Sequence, residues 1–274
     1  MPFYKGFTSP LENRVNMNIL IAADSFKGSL TSRQAADAIE LGIKRADASA
    51  DCTKVPVADG GEGTLDAVRN VVGGELHYQT VIGAMGQPVQ AAYLLLPDGE
   101  TAVVEMAVAS GLALVAKESR DPVRATSYGT GELIRSALDI GARKIICGLG
   151  GSATIDGGMG MAQALGYRFL DKHGSEIAAY GCGGLLEQVS AVDTSAIDNR
   201  VLASSIIAAC DVQNPVLGEQ GAVRIYGPQK GATEAMVQTL EHDLGQLCRV
   251  VEQHCAASPP WLRWCGAHCG LCVA

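Results

Sequence analysis

Three turns in this 274-residue sequence mix glycine, small hydroxyl side chains and acids, the groups that a phosphate and its metal require. They are Asp24-Ser25-Phe26-Lys27-Gly28-Ser29, Asp59-Gly60-Gly61-Glu62-Gly63-Thr64, and Gly148-Leu149-Gly150-Gly151-Ser152-Ala153-Thr154 followed by Asp156-Gly157-Gly158. Successive backbone N–H groups in such turns form an anion nest, and a following helix adds its positive end. Glycine lets a phosphate come close to the backbone. Carboxylates in the same loops would repel that phosphate unless they hold Mg2+ or take a proton from a nucleophile. The combination therefore points to phosphoryl transfer with a metal. The 148–158 stretch carries most of this signal, whereas Asp24 and Ser25 alone resemble ordinary helix caps. Lys230, in Gly227-Pro228-Gln229-Lys230-Gly231-Ala232, is either a phosphate-neutralising lysine or a solvated turn residue.

The elements that must hold these turns alternate. Residues 18–23 are a short apolar run that predicts a buried parallel strand. A helix capped by Thr31 or Ser32 follows, with Ala35, Ala38, Ile39 and Ile43 on one face. A strand over Thr53–Val57 leads into the Asp59 loop and a helix carrying Leu65, Val68 and Val72. From Leu76 to Met106 the pattern alternates, with breaks at 83–88 and 97–100, and predicts a three-stranded meander. A helix over about 131–140 stops at Gly141. Strand Lys144–Gly148, the glycine loop and a helix with Met161, Ala164 and Leu165 come next. The last expected strand is Val201–Ala209, running into Cys210-Asp211. Strand, glycine-rich loop and helix in alternation predict an α/β protein with ligands at the strand carboxyl ends.

Composition excludes several classes. The net charge is -8 and no Lys/Arg run occurs, which argues against a nucleic-acid partner held through phosphates. No apolar stretch approaches the roughly 18–20 residues of a membrane span, and residues 1–16 lack the apolar core of a signal peptide. Cys52, Cys147, Cys182, Cys210 and Cys248 are scattered singly, as reduced core cysteines are. The expected setting is cytoplasmic, with no membrane partner. Neither a Walker A loop nor a dinucleotide fingerprint is present, and zincin and α/β-hydrolase motifs are absent. His77, His173 and His242 stand alone and read as structural.

The loops resemble those of the bacterial glycerate 2-kinases. The resemblance rests on residues 18–29, 55–64, 127–133, 150–158, Cys210-Asp211-Val212, Asn214-Pro215 and Gly227–Thr233, in family order from residue 17 to about 253. It implies ATP-dependent phosphorylation of glycerate to 2-phosphoglycerate. It also implies an α/β fold of two domains, a flavodoxin-like parallel-sheet domain (incomplete here) with an inserted mixed α/β domain. Residues 17–75 would open the first and 76–253 form most of the second, after an extra segment at 1–16. By the same resemblance transfer is in line: the Gly150–Gly158 nest cradles phosphate oxygens, with Gly150, Gly151, Ser152 and Thr154 as contacts. Lys27 or Lys230 neutralises charge, and Asp156 or Asp59 accepts the glycerate hydroxyl proton or holds Mg2+. Asp24, Ser25, Gly60, Gly61, Glu62 and Asp211 complete the metal or substrate shell. Lys27 or Arg45 would meet the substrate carboxylate.

From His254 onward the composition changes. The stretch HCAASPPWLRWCGAHCGLCVA holds both tryptophans, four cysteines and no acid. It reads as a metal site on Cys265, Cys269 and Cys272, as a short apolar tail, or, the preferred reading, as a change of reading frame near residue 254. Family members continue for about a hundred residues, so this chain is expected to be truncated, and poorly stable or inactive while its intact parent is a kinase. Rival functions are a nucleotide-binding fragment without turnover and a kinase of the galactokinase–homoserine kinase class. The latter's phosphate loop resembles Gly148–Ala153 but lacks the Asp-Gly-Gly that follows here.

Overall fold

A computed structural model describes residues 17–26 and 29–254. The expectations placed on 1–16 and on the cysteine-rich end lie outside these residues. β1 (Asn18–Ile21) pairs in parallel with β2 (Asp51–Lys54), and α1 (Ser32–Ala46) connects them. α2 (Thr64–Val72) leads to β3 (Glu75–Ile82), β4 (Pro88–Leu95) and β5 (Thr101–Glu105), the expected meander. Then come α3 (Ala107–Ser110), α4 (Tyr128–Asp139), β6 (Lys144–Gly148) and α5 (Met159–Ala164). An antiparallel pair, β7 (Arg168–Leu170) and β8 (Ala191–Asp193), precedes α6 (Asn199–Leu202) and β9 (Ser205–Ala209). α7 (Ala222–Tyr226) and the long α8 (Glu234–His254) end the described chain.

The main sheet runs β3-β4-β5-β6-β9. Its meander pairs are antiparallel, whereas β5, β6 and β9 are parallel, with Glu105 opposite Gly148 and Gly148 opposite Ala209. The carboxyl ends of three strands therefore share one edge. Val104, Ile145 and Cys147 of this sheet are buried in one core with Leu133 and Ile134 of α4, Met159 and Met161 of α5, and Leu244 and Leu247 of α8. A second core joins Leu65 of α2 to Leu94 and Val103.

Several local expectations shift. β2 starts at Asp51, whose amide bonds to Met17 O, and Val55 and Val57 extend the ladder to Ile21 O and Ala23 O. Thr31 does cap α1, in a capping box with Gln34. The apolar stripe of α1 is not covered, however: Ala35 and Ala36 are buried, yet Ile39 is 42% exposed. The sheet of two strands beneath it is too narrow. Val201 and Leu202 belong to α6 rather than to a strand, because the Asp198 side chain accepts from Arg200 N and starts a helical turn.

Candidate functional site

The loop after β2 lies against the carboxyl edge of the main sheet. Gly150 N donates to Gly60 O at 3.0 Å, and Leu149 N donates to Ala209 O at 3.2 Å. Only glycine permits this contact. A Cβ on Gly60, whose φ is +87°, would come within 2.5 Å of Ala209 O, and one on Gly150 within 2.7 Å of Gly61 Cα. Two loops distant in sequence thus meet backbone to backbone. Beside them opens a cleft of about 460 Å³ lined by Asp59, Glu62, Ser152, Asp211, Arg120 and Lys230, among others.

Lys230 sits on a 3-10 turn, Pro228–Lys230, and is 3% exposed. Its Nζ donates to Ser152 Oγ and to Thr154 O, each at 2.8 Å. The solvated-turn reading of this lysine is therefore corrected: its ammonium is held at the base of the glycine loop, beside the cleft. Thr154 is fully buried and supports Lys230 through its carbonyl, rather than lining the cleft.

Asp156 is placed elsewhere than expected. It is completely buried and lines neither of the two hollows beside the loops. Its carboxylate accepts from Ser127 N (2.8 Å), Ser127 Oγ (2.6 Å), Gly158 N (3.1 Å) and Gly160 N (3.4 Å). Burial pushes the Asp156 carboxyl above its ordinary value, and those four donors pull the other way. Such a group fixes loops; it is not placed to reach a substrate hydroxyl or Mg2+. Gly157 packs on α8, where a Cβ would strike Leu247 at 2.6 Å. The glycine loop therefore divides: Gly150, Gly151 and Ser152 face the cleft, while residues 156–158 face the core.

Asp59 caps its own loop, Oδ1 accepting from Gly61 N at 2.9 Å, and its side chain lines the cleft. Glu62 lines this cleft and also a larger, open hollow of about 790 Å³ bordered by Ser25, Ser29, Arg33 and Arg69. Asp24 accepts from Ser25 N and lines neither. Arg45 is exposed in the last turn of α1 and also lines neither, and Lys27 lies outside the described residues. Among the described residues no group of three or more His, Cys, Asp or Glu is gathered to hold a metal. Asp59, Glu62 and Asp211 nonetheless supply hard oxygen donors along the cleft. Such a sparse set suits Mg2+, which keeps its waters and shares phosphate oxygens.

Three residues have parts that sequence reasoning did not assign, Ser127 although it stands in the 127–133 motif. Glu105 ends β5 almost completely buried and accepts from Gly63 N (3.1 Å) and Leu65 N (3.0 Å), which ties the Asp59 loop and the start of α2 to the main sheet. Burial pushes its carboxyl up to about 7 against the pull of those two amides, with Asp66 and Glu62 adding to the rise. An acid closing the apolar run Ala102-Val103-Val104 was the available signal. Ser127 became visible only through Asp156. Arg120 reaches the cleft from a loop without recognisable pattern.

The fold and cleft define a mixed α/β protein in which a buried lysine and a glycine loop face a set of carboxylates. The chain belongs to the glycerate kinase family, whose model matches residues 19–274. It is 48% identical over 237 residues to the glycerate kinase of Bacillus subtilis (strain 168), and equally to the glycerate 2-kinase of Escherichia coli (strain K12). Each alignment covers 86% of this chain and 62% of the relative, so the chain spans about three fifths of the length of these curated relatives. The crystal structure of a candidate glycerate kinase 2 from Salmonella typhimurium LT2 superposes with a TM-score of 0.80 at 44% identity, covering 93% of this chain and 68% of that one.

Proposed function

We propose that this cleft is the phosphoryl-transfer site of a glycerate kinase, moving the γ-phosphate of ATP to the 2-hydroxyl of glycerate. One observation carries the reading: the buried ammonium of Lys230, anchored to Ser152 and Thr154, faces Asp59, Glu62 and Asp211 across one glycine-walled cleft. Lys230 and the Gly151–Ser152 backbone hold phosphate oxygens. Asp59 takes the proton of the hydroxyl as its oxygen attacks the γ-phosphorus; the bond to the β,γ-bridging oxygen breaks and ADP leaves. Mg2+, held by Glu62 and Asp211, would neutralise charge on the phosphate chain. Asp156 positions the loops through Ser127, Gly158 and Gly160 instead of joining the chemistry.

We read residues 17–75 as the opening of a flavodoxin-like domain and 76–253 as the inserted one, the cleft lying where the Gly60 and Gly150 loops meet. The five cysteines of the described residues are free thiols, and none of the described helices is long and apolar enough to cross a membrane. The test is ADP release by the purified chain with Mg2+, ATP and glycerate, with 2-phosphoglycerate identified by NMR. ADP release that ignores glycerate would sink the reading. ATP-dependent thermal stabilisation without turnover would favour a nucleotide-binding chain instead.

A further inference from the structure

Among the described residues, two cations line the cleft, Lys230 and Arg120. The two are joined through one turn. Arg120 Nη1 donates to Gln229 O at 3.1 Å, immediately before Lys230. Gly231, immediately after it, presses on the Arg120 backbone so closely that a Cβ there would lie 2.5 Å from Arg120 O. The turn that buries the lysine thereby also seats the arginine. The arginine Nε is itself buried with no hydrogen-bond acceptor, which is costly for a charged donor.

Charge points the same way. Asp59, Glu62 and Asp211 bring three negative charges to the lining; Lys230 alone leaves a formal -2, and Lys230 with Arg120 leaves -1. Each of these two cations therefore eases the entry of an anionic ligand, in addition to whatever charge a bound Mg2+ supplies. A guanidinium also offers a planar fork that grips two oxygens of one oxyanion, which an ammonium does not.

We propose that Arg120 is a specificity-determining residue of the cleft that binds one ligand oxyanion, its free edge supplying the donors that Gln229 leaves over. This rests on the kinase reading for the identity of the ligands, which carry that oxyanion as a terminal phosphate or as a carboxylate. The experiment is calorimetric titration of the wild-type chain, Arg120→Gln and Arg120→Lys with ATP, inorganic phosphate, glycerate and glycerol, alongside the turnover assay. We expect Arg120→Gln to weaken one oxyanion ligand about tenfold or more and to leave the other within about twofold, with partial recovery in Arg120→Lys. Loss confined to glycerate, with glycerol unaffected, assigns the carboxylate; loss confined to ATP and inorganic phosphate assigns the phosphate. Unchanged affinities for all four probes, or a wild-type chain that binds none of them at millimolar concentration, would overturn the proposal. Arg120-dependent binding with no ADP formed would refute the kinase reading and leave this one standing, whereas turnover indifferent to Arg120 would do the reverse.

Discussion

The amide of Gly150 lies 3.0 Å from the carbonyl oxygen of Gly60, so the loops that follow β6 and β2 are joined by their own backbones. No side chain can mediate so short a crossing, and the glycines on both sides are its condition. The cleft carboxylates Asp59 and Glu62 are carried on one loop and Ser152 on the other. Their spacing is therefore set by the fold before any ligand arrives.

That contact gives a paired prediction. Gly60→Ala puts a methyl 2.5 Å from Ala209 O at a φ of +87°, and we expect it to destabilise by about 3 kcal/mol or more and to abolish turnover. Gly63→Ala, at a φ of +90° with nothing within 4 Å, meets only the backbone penalty, about 1 kcal/mol. Urea midpoints of the two variants check this. Equal losses would mean that the loop contact adds nothing beyond backbone strain.

Asp156→Asn separates architecture from chemistry. Its Oδ2 receives Ser127 N, Ser127 Oγ and Gly160 N, while Oδ1 receives Gly158 N. An amide satisfies one side only and turns its NH2 toward a donor on the other. We expect a loss of about 2–3 kcal/mol in stability, with Ser127→Ala giving part of it. A variant that melts like wild type yet has no activity would return Asp156 to the reacting atoms.

Glu105 makes stability depend on pH. Its carboxyl titrates near 7 in the folded chain against an ordinary 4.5, so the folded state holds its proton more tightly. Below 4.5 the group is protonated in both states and contributes no pH dependence. As pH rises toward 7 the unfolded chain ionises first and stability falls, levelling off above 7. Glu105→Gln removes this titration. The stability difference between wild type and variant should move against the wild type by about 2–3 kcal/mol between pH 5 and pH 8. A difference that stays flat across that range would show that Glu105 keeps an ordinary carboxyl. Because its acceptors anchor Gly63 and Leu65, any functional effect should follow the position of Glu62.

Much of this architecture was legible in the sequence because its signals are local. The meander followed from period-two alternation, Gly141 ended α4 at a φ of +105°, and Thr31 capped α1. The Asp59 loop and the Gly148–Gly158 loop also stood out by their glycines. What stayed hidden depends on contacts between distant segments. Asp156 and Asp59 look alike as acids beside glycines, and only the packing of Gly157 on Leu244 and Leu247 turns the first into the core. Glu105 and Arg120 work through backbone groups 40 and 109 residues away. The helix α8 combines apolar Leu240, Leu244, Leu247 and Val251, whose helical spacing is itself legible in the sequence.

Lys230 offers the most direct test of the cleft. Its ammonium is buried, so its charge acts in a low dielectric, and Ser152 Oγ with Thr154 O hold it in place before a phosphate binds. Lys230→Met preserves most of the volume while removing the charge and both hydrogen bonds. We expect kcat/KM for ATP to fall about 10²–10³-fold, with a stability loss of only about 1–2 kcal/mol. Lys230→Arg should restore charge but not geometry, because a guanidinium does not fit acceptors placed around a single nitrogen, and should recover little. Steady-state kinetics of both variants at saturating glycerate make the comparison. If Lys230→Met keeps its affinity for ATP and loses only stability, the lysine is a strut for the Ser152–Thr154 loop, and the phosphate must be held by other donors.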